Sequence, residues 1–270
     1  MPVDVVTPTT WEELQHALQT LPTGESPVDA NQFCVFRGVS NSSWTLQHSL
    51  SRMGGDLGAK ERRVLDDFRD FANLELKAQA VEVENPWQLM AVAQHHGTPT
   101  RLLDWSRNQD VALHFATSDR RSWGTEGCVW VVNPHLVHQT LPALLKQDLC
   151  GSGEAAPGLM RERQMLRALP AVADLDRQAV GPVLPAFFFE PGWADARIKA
   201  QNGLFSVVGD VASDLADVLE TVPRCARRVH IGPVLKLEVR RKLDASGRDE
   251  RSYFPGFDGV SAFLGRNHCE

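Results

Sequence analysis

Residues 85–105, which read NPWQLMAVAQHHGTPTRLLDW, carry the strongest local structural signal in the chain. Asn85 belongs to the residue types that cap helix N-termini, and Pro86 suits the first helical position. Gly97 can adopt the left-handed conformation in which many helices end. The stretch therefore predicts a helix over residues 86–96.

Strands are predicted on both sides of this helix. Toward the N-terminus, the apolar, β-prone run of residues 33–36 precedes Arg37 and Gly38, so we expect a buried strand that ends at this pair. Toward the C-terminus, Asn108 can cap a second short helix, and residues 127–132 (GCVWVV) predict another strand.

The remaining elements indicate a mixed architecture. Residues 61–78 repeat apolar side chains at spacings of three and four, which predicts an amphipathic helix. Strands are predicted over residues 183–190, 204–208 and 234–239, the last because VLKLEV alternates apolar and polar residues. Because there is no regular β-α-β-α order and no glycine-rich phosphate loop motif, we predict an α+β fold: a mixed, mainly antiparallel sheet core with flanking helices.

Composition limits the classes of function. The chain has 270 residues and a formal net charge of −6, which argues against coating of nucleic acid by bulk electrostatics. Its apolar runs are shorter than the roughly 18–20 residues that a bilayer requires, and it begins without an export-signal pattern. Five scattered cysteines without a C-x-x-C pair argue against a disulfide framework and a zinc cluster. We expect a cytoplasmic protein with no membrane partner and no metal.

The Arg37-Gly38 pair is the first candidate for chemistry. An arginine directly after an apolar strand places a permanently charged guanidinium at the strand end, and a following glycine lets a ligand approach the backbone. This arrangement suits a phosphate or a pyrophosphate. The alternative is that Arg37 forms a buried ion pair with an aspartate.

The second candidate is the polar loop predicted over residues 97–106, together with the helix end before it. His95 and His96 lie in the last helical turn, where the negative end of the helix dipole favours a protonated imidazole. They could donate a proton, contact a phosphate, or simply cap the helix. Asp104 lies between two large apolar residues, so we expect it to be partly buried. It could orient an arginine, act as a base, or pin the loop through a bridge to Arg101.

Two later polar residues complete the candidates. Glu190 ends the strand predicted over residues 183–190 and could stabilise developing positive charge. Gln201 lies near a predicted bend and could hold a carbonyl or a hydroxyl group. Each of them also suits an ordinary loop position.

Several of these segments together resemble the FRG domain, a bacterial family named for its Phe-Arg-Gly signature. The matching blocks are residues 36–52, which begin with Phe-Arg-Gly, then 93–116, 127–130, 196–205 and 254–259. The resemblance runs from about residue 32 to the C-terminus, so we interpret residues 1–31 as an N-terminal helix and linker, and residues 134–180 as an insertion. His96 stands where the family usually has tyrosine, so no role can be assigned to an aromatic hydroxyl there.

The order of these blocks is similar to the layout of ADP-ribosyltransferases. In those enzymes an arginine or histidine on the first strand anchors NAD, and a late Glu or Gln addresses the nicotinamide ribose or the acceptor. The similarity implies an ADP-ribosyltransferase-like fold, with NAD as substrate. The implied catalytic residues are His95, Asp104, Gln201 and, as an alternative to Gln201, Glu190; the implied NAD-binding residues are Arg37, Gly38, Thr100, Arg101 and Trp105.

Three functions are open at this point. The first is an NAD-dependent ADP-ribosyltransferase-like effector in a toxin or phage-defence setting, with a protein or RNA acceptor and an antitoxin or another defence component as partner. The second is a binding module that holds a nucleotide or a partner protein without turnover. The third is a metal-independent ribonuclease that uses His95 as acid and base, and Arg37 and Arg101 on phosphate.

Overall fold

A computed structural model of the chain describes residues 3–20, 22, 33–78, 83–150, 158–178, 184–192 and 195–268. The strands are β1 (Asp4–Val6), β2 (Val35–Val39), β3 (Leu103–Ser106), β4 (Gly127–Val132), β5 (Met160–Arg161), β6 (Ala186–Glu190), β7 (Gly203–Val208) and β8 (Ala226–Ile231). The helices are α1 (Trp11–Gln19), α2 (Leu57–Ala78), α3 (Pro86–His95), α4 (Gln109–Thr117), α5 (Pro134–Gln139), α6 (Ala143–Cys150), α7 (Glu162–Ala168), α8 (Ala173–Gln178), α9 (Ala196–Ala200), α10 (Leu215–Thr221), α11 (Pro233–Ala245), α12 (Glu250–Tyr253) and α13 (Phe257–His268).

These strands form one open, mixed sheet in the order β1-β8-β4-β2-β3-β7-β6-β5. Neighbouring strands are antiparallel except for the pairs β1 with β8 and β5 with β6. Along the chain at least one helix separates every two consecutive strands, so the expected lack of β-α alternation is wrong, although the strands still pair mainly antiparallel. The predicted α+β fold with a mainly antiparallel sheet is therefore confirmed.

The sheet consists of two halves that are joined by very little pairing. Among the described residues, β2 and β3 share one register position, Phe36 opposite Ser106. Next to it, the side chain of Arg37 takes over the contact, because its Nη1 donates to the main-chain oxygen of Asp104 at 2.6 Å. The strand pairing between the two halves therefore stops beside Arg37, and the side chain of Arg37 still connects them.

Helices pack against each half separately. Helices α1, α4 and α11 bury their apolar side chains against β2, β4 and β8. Helices α3, α6, α7 and α8 pack with β5, β6 and β7 in a second cluster, and a third cluster combines residues of both halves. As a result, α3 and α4 lie on either side of the junction between β2 and β3.

Strand β2 runs through Arg37 and Gly38 instead of ending there, so the predicted strand end is wrong. The ladder with β4 continues to Val39 opposite Cys128, which keeps the strand extended. Gly38 is required by the packing of α4 on this strand. A Cβ atom at position 38 would lie 1.8 Å from the main-chain oxygen of Ala112. The glycine thus makes room for a helix backbone.

The predicted strand over residues 234–239 is also wrong, because this segment lies in α11. Gly232 and Pro233 start the helix, and Leu235 and Val239 point into the core with a spacing of four. The alternation misleads because Lys236, the first polar residue of the pattern, is fully buried. Its Nζ is held by three main-chain oxygens, those of Ser40, Ser122 and Thr125.

Helix α3 confirms the prediction from the quoted stretch. The Asn85 side chain accepts from the amide of Gln88, Pro86 is the first helical residue, and Gly97 has a φ of +83°. Asn108 caps α4 as expected. The loop predicted over residues 97–106 is wrong in its second part, because β3 occupies residues 103–106 in the middle of the sheet.

The predicted domain boundaries stay a prediction. Apart from residue 22, the predicted linker over residues 21–31 lies outside the described residues, as do residues 151–157 and 179–180 of the predicted insertion. The described part of that insertion contributes β5 to the common sheet and α6, α7 and α8 to the second core cluster. Within the described ranges, no helix combines the length and the apolar character needed to span a bilayer.

We expect Gly38→Ala to destabilise the protein by at least about 3 kcal/mol, because the new methyl group meets the α4 backbone, which cannot move without α4 leaving the sheet. Gly265→Ala is the matched control. This glycine lies in α13 with nothing within 4 Å of the new Cβ, so alanine should raise stability by about 0.5–1 kcal/mol. Urea unfolding of the three proteins measures both effects, and equal stability of Gly38→Ala and wild type would contradict the packing argument.

Candidate functional site

A cavity of about 230 Å³ lies at the junction of the two sheet halves. Its wall is formed by side chains from β2, α3, β3, α4, α9 and β7. The polar residues that line it are Arg37, Gln94, His95, Asp104, Ser106, Arg197 and Gln201. The apolar part of the wall includes Phe36, Trp105, Val111, Ala112, Phe115 and Phe205. We call this space the small cavity.

Arg37 lies on β2 and lines the small cavity, and its side chain is 24% exposed. One of its nitrogens, Nη1, bonds to the main-chain oxygen of Asp104, and the carboxylate of Asp104 lies 4.0 Å away. Its Nε is buried without a hydrogen-bond partner among the described residues. Burial lowers the pKa of Arg37 and the charge of Asp104 raises it. The guanidinium therefore retains donor capacity beyond the contact that ties the sheet halves.

Asp104 is exposed, with 60% of its side chain accessible, so the expectation of a partly buried carboxylate is wrong. Its neighbours Leu103 and Trp105 point into the core, and the alternation of β3 turns Asp104 the other way. Its Oδ2 accepts from Nε2 of Gln94 at 2.9 Å. The amide of Gln94 is in turn oriented by the hydroxyl of Thr100, which donates to Oε1 at 2.7 Å. The carboxylate is thus held at the cavity by a chain of hydrogen bonds.

His95 connects α3 to the segment that precedes Gln201. Its Nε2 lies 2.7 Å from Oδ2 of Asp195, and the other oxygen of Asp195 caps α9 by accepting from the amide of Ile198. Burial lowers the pKa of His95, which outweighs the opposite effect of Asp195; the charges of Arg197 and His96 lower it further. The expectation of a protonated imidazole is therefore wrong. His95 is neutral at pH 7 and donates to Asp195.

Gln201 enters the small cavity from the end of α9. Its main-chain oxygen accepts from the hydroxyl of Ser106 at 2.6 Å, and its side-chain Nε2 donates to the main-chain oxygen of Tyr253 at 3.0 Å. These two bonds fix the residue at both backbone and side chain. No described residue donates to the side-chain oxygen of Gln201, so this oxygen is available to a ligand.

A second cavity, of about 1100 Å³, adjoins the first. Arg37, Gly38 and Phe115 line both spaces. Residues 39–52, α4, the 3₁₀ turn at Arg120–Ser122 and the C-terminal helices supply the rest of its wall. We call this space the large cavity. Arg37 therefore borders both the small and the large cavity.

The structure brings most of the predicted site residues together. Those that line the small cavity are Arg37, Gly38, His95, Asp104, Trp105 and Gln201. Trp105 contributes a mostly buried surface, since its indole nitrogen donates to Ser206 inside the core.

The other predicted residues lie elsewhere. Glu190 pairs with Arg107 at 2.6 Å and is not among the residues that line the cavity. Thr100 and Arg101 are buried in the loop that supports β3. The guanidinium of Arg101 contacts the carboxylates of Glu61 and Asp176, so the suggested bridge from Arg101 to Asp104 does not form.

The cavity residues that are missing from the predicted site include Gln94, Phe115 and Arg197. A signal for Arg197 exists in the sequence, because it precedes Gln201 by four residues and a helix places such residues on one face. Arg197 stacks on Phe254, with its Cζ 4.8 Å from the ring centroid, and Phe115 contacts the same ring. The contacts of Phe115 and Arg197 with Phe254 join distant parts of the chain, so the sequence alone does not predict them.

Comparison with known proteins supports the family resemblance over part of the chain. Residues 32–123 match the model of the FRG domain, so the chain carries an FRG domain in this range. The range includes β2, α3, β3 and α4, whereas the cavity residues Arg197 and Gln201 follow it. No curated protein and no solved structure matches the chain. In the part of the chain that the structure describes, His, Cys, Asp and Glu form no group of three suited to a metal ion.

Two substitutions should shift the pKa of His95 in opposite directions. Asp195→Asn keeps the helix cap but removes the negative charge that raises this pKa, so the value should fall below that of the wild type. Arg197→Gln removes a positive charge that lowers it, so the value should rise. A nuclear magnetic resonance titration of the histidine ring protons measures both. Shifts of the same sign in the two variants would refute the described surroundings of His95.

Proposed function

We propose that the chain is an NAD-dependent ADP-ribosyltransferase-like enzyme that reacts in the small cavity. The observation that supports this most is the placement of Arg37, Asp104 and Gln201, which come from three separate elements and line one space. They lie in the order that the ADP-ribosyltransferase layout implies: an arginine on the first strand of the domain and a late glutamine opposite it. The proposal includes a protein or RNA acceptor and a role as a toxin or phage-defence effector with its own partner.

Arg37 is the proposed contact for the pyrophosphate of NAD. A guanidinium binds phosphate oxygens through parallel hydrogen bonds, and Arg37 has an unused buried Nε next to its remaining nitrogens. Because Arg37 lines both cavities, a pyrophosphate bound to it would have one nucleoside half in each. The nicotinamide riboside half would then lie in the small cavity.

The proposed reaction breaks the glycosidic bond between nicotinamide and C1′ of the ribose. Nicotinamide leaves with the electron pair of that bond, positive charge develops on the ribose, and the acceptor adds to C1′ and releases a proton. Asp104 supplies the negative charge that stabilises the developing cation, and it can take the proton. The side-chain oxygen of Gln201 can accept from a ribose hydroxyl and hold the ring in place.

His95 is a positioning residue in this scheme. It is neutral at pH 7 and bonded to Asp195, which caps the helix that carries Gln201. His114, which lines the large cavity, has a pKa lowered to about 4 by burial and by the charge of Arg240, so it is neutral as well. A lowered pKa reduces the protonated fraction of both imidazoles, so they suit the acid of a pair that cleaves RNA less well than a positioning role.

We expect Arg37→Ala to lower kcat/KM for nicotinamide release from NAD by roughly 100-fold, since hydrogen bonds to a charged group contribute about 1.5–3 kcal/mol each. Asp104→Asn should lower kcat similarly and leave the affinity for NAD close to that of the wild type, because its effect belongs to the transition state. The assay combines labelled NAD with candidate protein and RNA acceptors and follows both nicotinamide release and label transfer.

Arg69→Ala is the matched control, because Arg69 is an exposed arginine of α2 whose recorded contact is Asp66. It should keep the wild-type rate, and Arg37→Lys should keep the fold while it loses the parallel hydrogen bonds. If the wild type binds NAD but releases no nicotinamide, the proposed enzyme is rejected and a nucleotide-binding module remains. Absence of both binding and release would reject the proposed function entirely.

A further inference from the structure

The large cavity contains an excess of positive charge. Four arginines line it, namely Arg37, Arg52, Arg121 and Arg266, against the two carboxylates of Asp119 and Glu250. Both carboxylates are already engaged: Asp119 accepts from Arg121 and Ser122, and Glu250 pairs with Arg266. Arg52 has no ion pair with any residue in the described ranges. Among the described residues, Arg52 is therefore the arginine of this cavity without a carboxylate partner, and Arg37 faces only the exposed carboxylate of Asp104, at 4.0 Å.

Arg37 and Arg52 influence each other across the large cavity. Burial lowers the pKa of Arg37, Asp104 raises it, and the charge of Arg52 lowers it further. Two guanidinium groups that repel each other and line the same open space stabilise an anion between them. A phosphate group is the common biological anion that matches the donor geometry of arginine.

An aromatic platform lies in the same wall. Trp44 is 53% exposed, although its chain segment is firmly anchored. Leu46 and Leu50 are buried on one side of it, and on the other the side chain of Asn41 accepts from Ser43, while the amide of Trp44 donates to the main-chain oxygen of Asn41. An exposed indole on an anchored segment loses few rotamers on binding and offers a flat face on which a base can stack.

We infer that the large cavity is a nucleotide-binding subsite in which a phosphate lies between Arg37 and Arg52 and the attached nucleoside stacks its base on Trp44. The shared chemistry is that of a nucleoside phosphate. The placement of the pyrophosphate at Arg37 rests on the proposed function. Under that function, the ligand of the subsite is the adenosine half of NAD. The same chemistry in a strand of RNA is the second source, which the experiment distinguishes.

Titration calorimetry with ADP tests the subsite without any turnover. Trp44→Ala should weaken the binding of ADP by roughly 10-fold through loss of base stacking, and Trp44→Phe should restore most of it. Arg52→Ala should weaken it to a similar degree, and Arg52→Lys should recover part of the loss because the charge remains. Arg69→Ala should bind as the wild type does. Since Trp44 and Arg52 are exposed, circular dichroism should show that all of these variants are folded.

Three further ligands identify the source of the nucleotide. Trp44→Ala should leave the affinity for nicotinamide mononucleotide unchanged and should weaken the binding of NAD as much as that of ADP. This result supports the adenosine half as the occupant. A single-stranded RNA hexamer that binds more tightly than ADP, with the same response to Trp44→Ala and Arg52→Ala, also supports the subsite and assigns it to the acceptor.

Two outcomes separate this inference from the proposed function. ADP binding that depends on Trp44 and Arg52, in a protein that releases no nicotinamide, supports the subsite and rejects the enzyme. Nicotinamide release by a protein whose ADP and RNA binding is unchanged by Trp44→Ala and Arg52→Ala overturns the subsite alone. Absence of any ADP or RNA binding by the wild type overturns it as well.

Discussion

The contact between α4 and Gly38 is the constraint on which the rest of the site depends. The helix backbone occupies the space that a side chain at position 38 would need, so β2 and α4 are locked together at backbone distance. Successive residues of a strand point to opposite faces, so Arg37 must point away from that contact. Its Nη1 donates to the main-chain oxygen of Asp104 at the point where the pairing of β2 with β3 ends. The Phe-Arg-Gly triplet thus places a helix on one side of the strand and a charge at the sheet junction on the other.

A guanidinium at this junction serves as both a structural and a chemical group. One nitrogen takes the place of a main-chain donor of the sheet, so the carbonyl of Asp104 has a hydrogen-bond partner where β2 and β3 move apart. The Nε of Arg37 makes no hydrogen bond among the described residues, and the residue lines the cavity beside this junction. A lysine could not fill both roles, because its donors diverge from a single atom.

The sequence allows prediction of the elements whose ends are set locally. Asn85, Pro86 and Gly97 determine α3, and Asn108 determines α4, because caps act through neighbouring backbone groups. The exposure of Asp104 is not predictable in this way, since its apolar neighbours indicate burial until β3 is known to be a strand. The role of Lys236 likewise depends on three carbonyls more than a hundred residues away from it in sequence. Long-range contacts of this kind also decide that Glu190 turns to Arg107.

For the reaction proposed above, the exposure of Asp104 has a consequence. A carboxylate in water stabilises a nearby cation weakly, because the dielectric constant is high, and the same carboxylate acts much more strongly once water is displaced. Gln94 and Thr100 hold Asp104 in place, yet no protein element covers it among the described residues. The group that excludes water from Asp104 is then the substrate, whose remote half must bind firmly enough to keep the reacting half in place. Binding energy far from the reacting carbon is thus a requirement of the site, since the small cavity alone cannot shield its carboxylate.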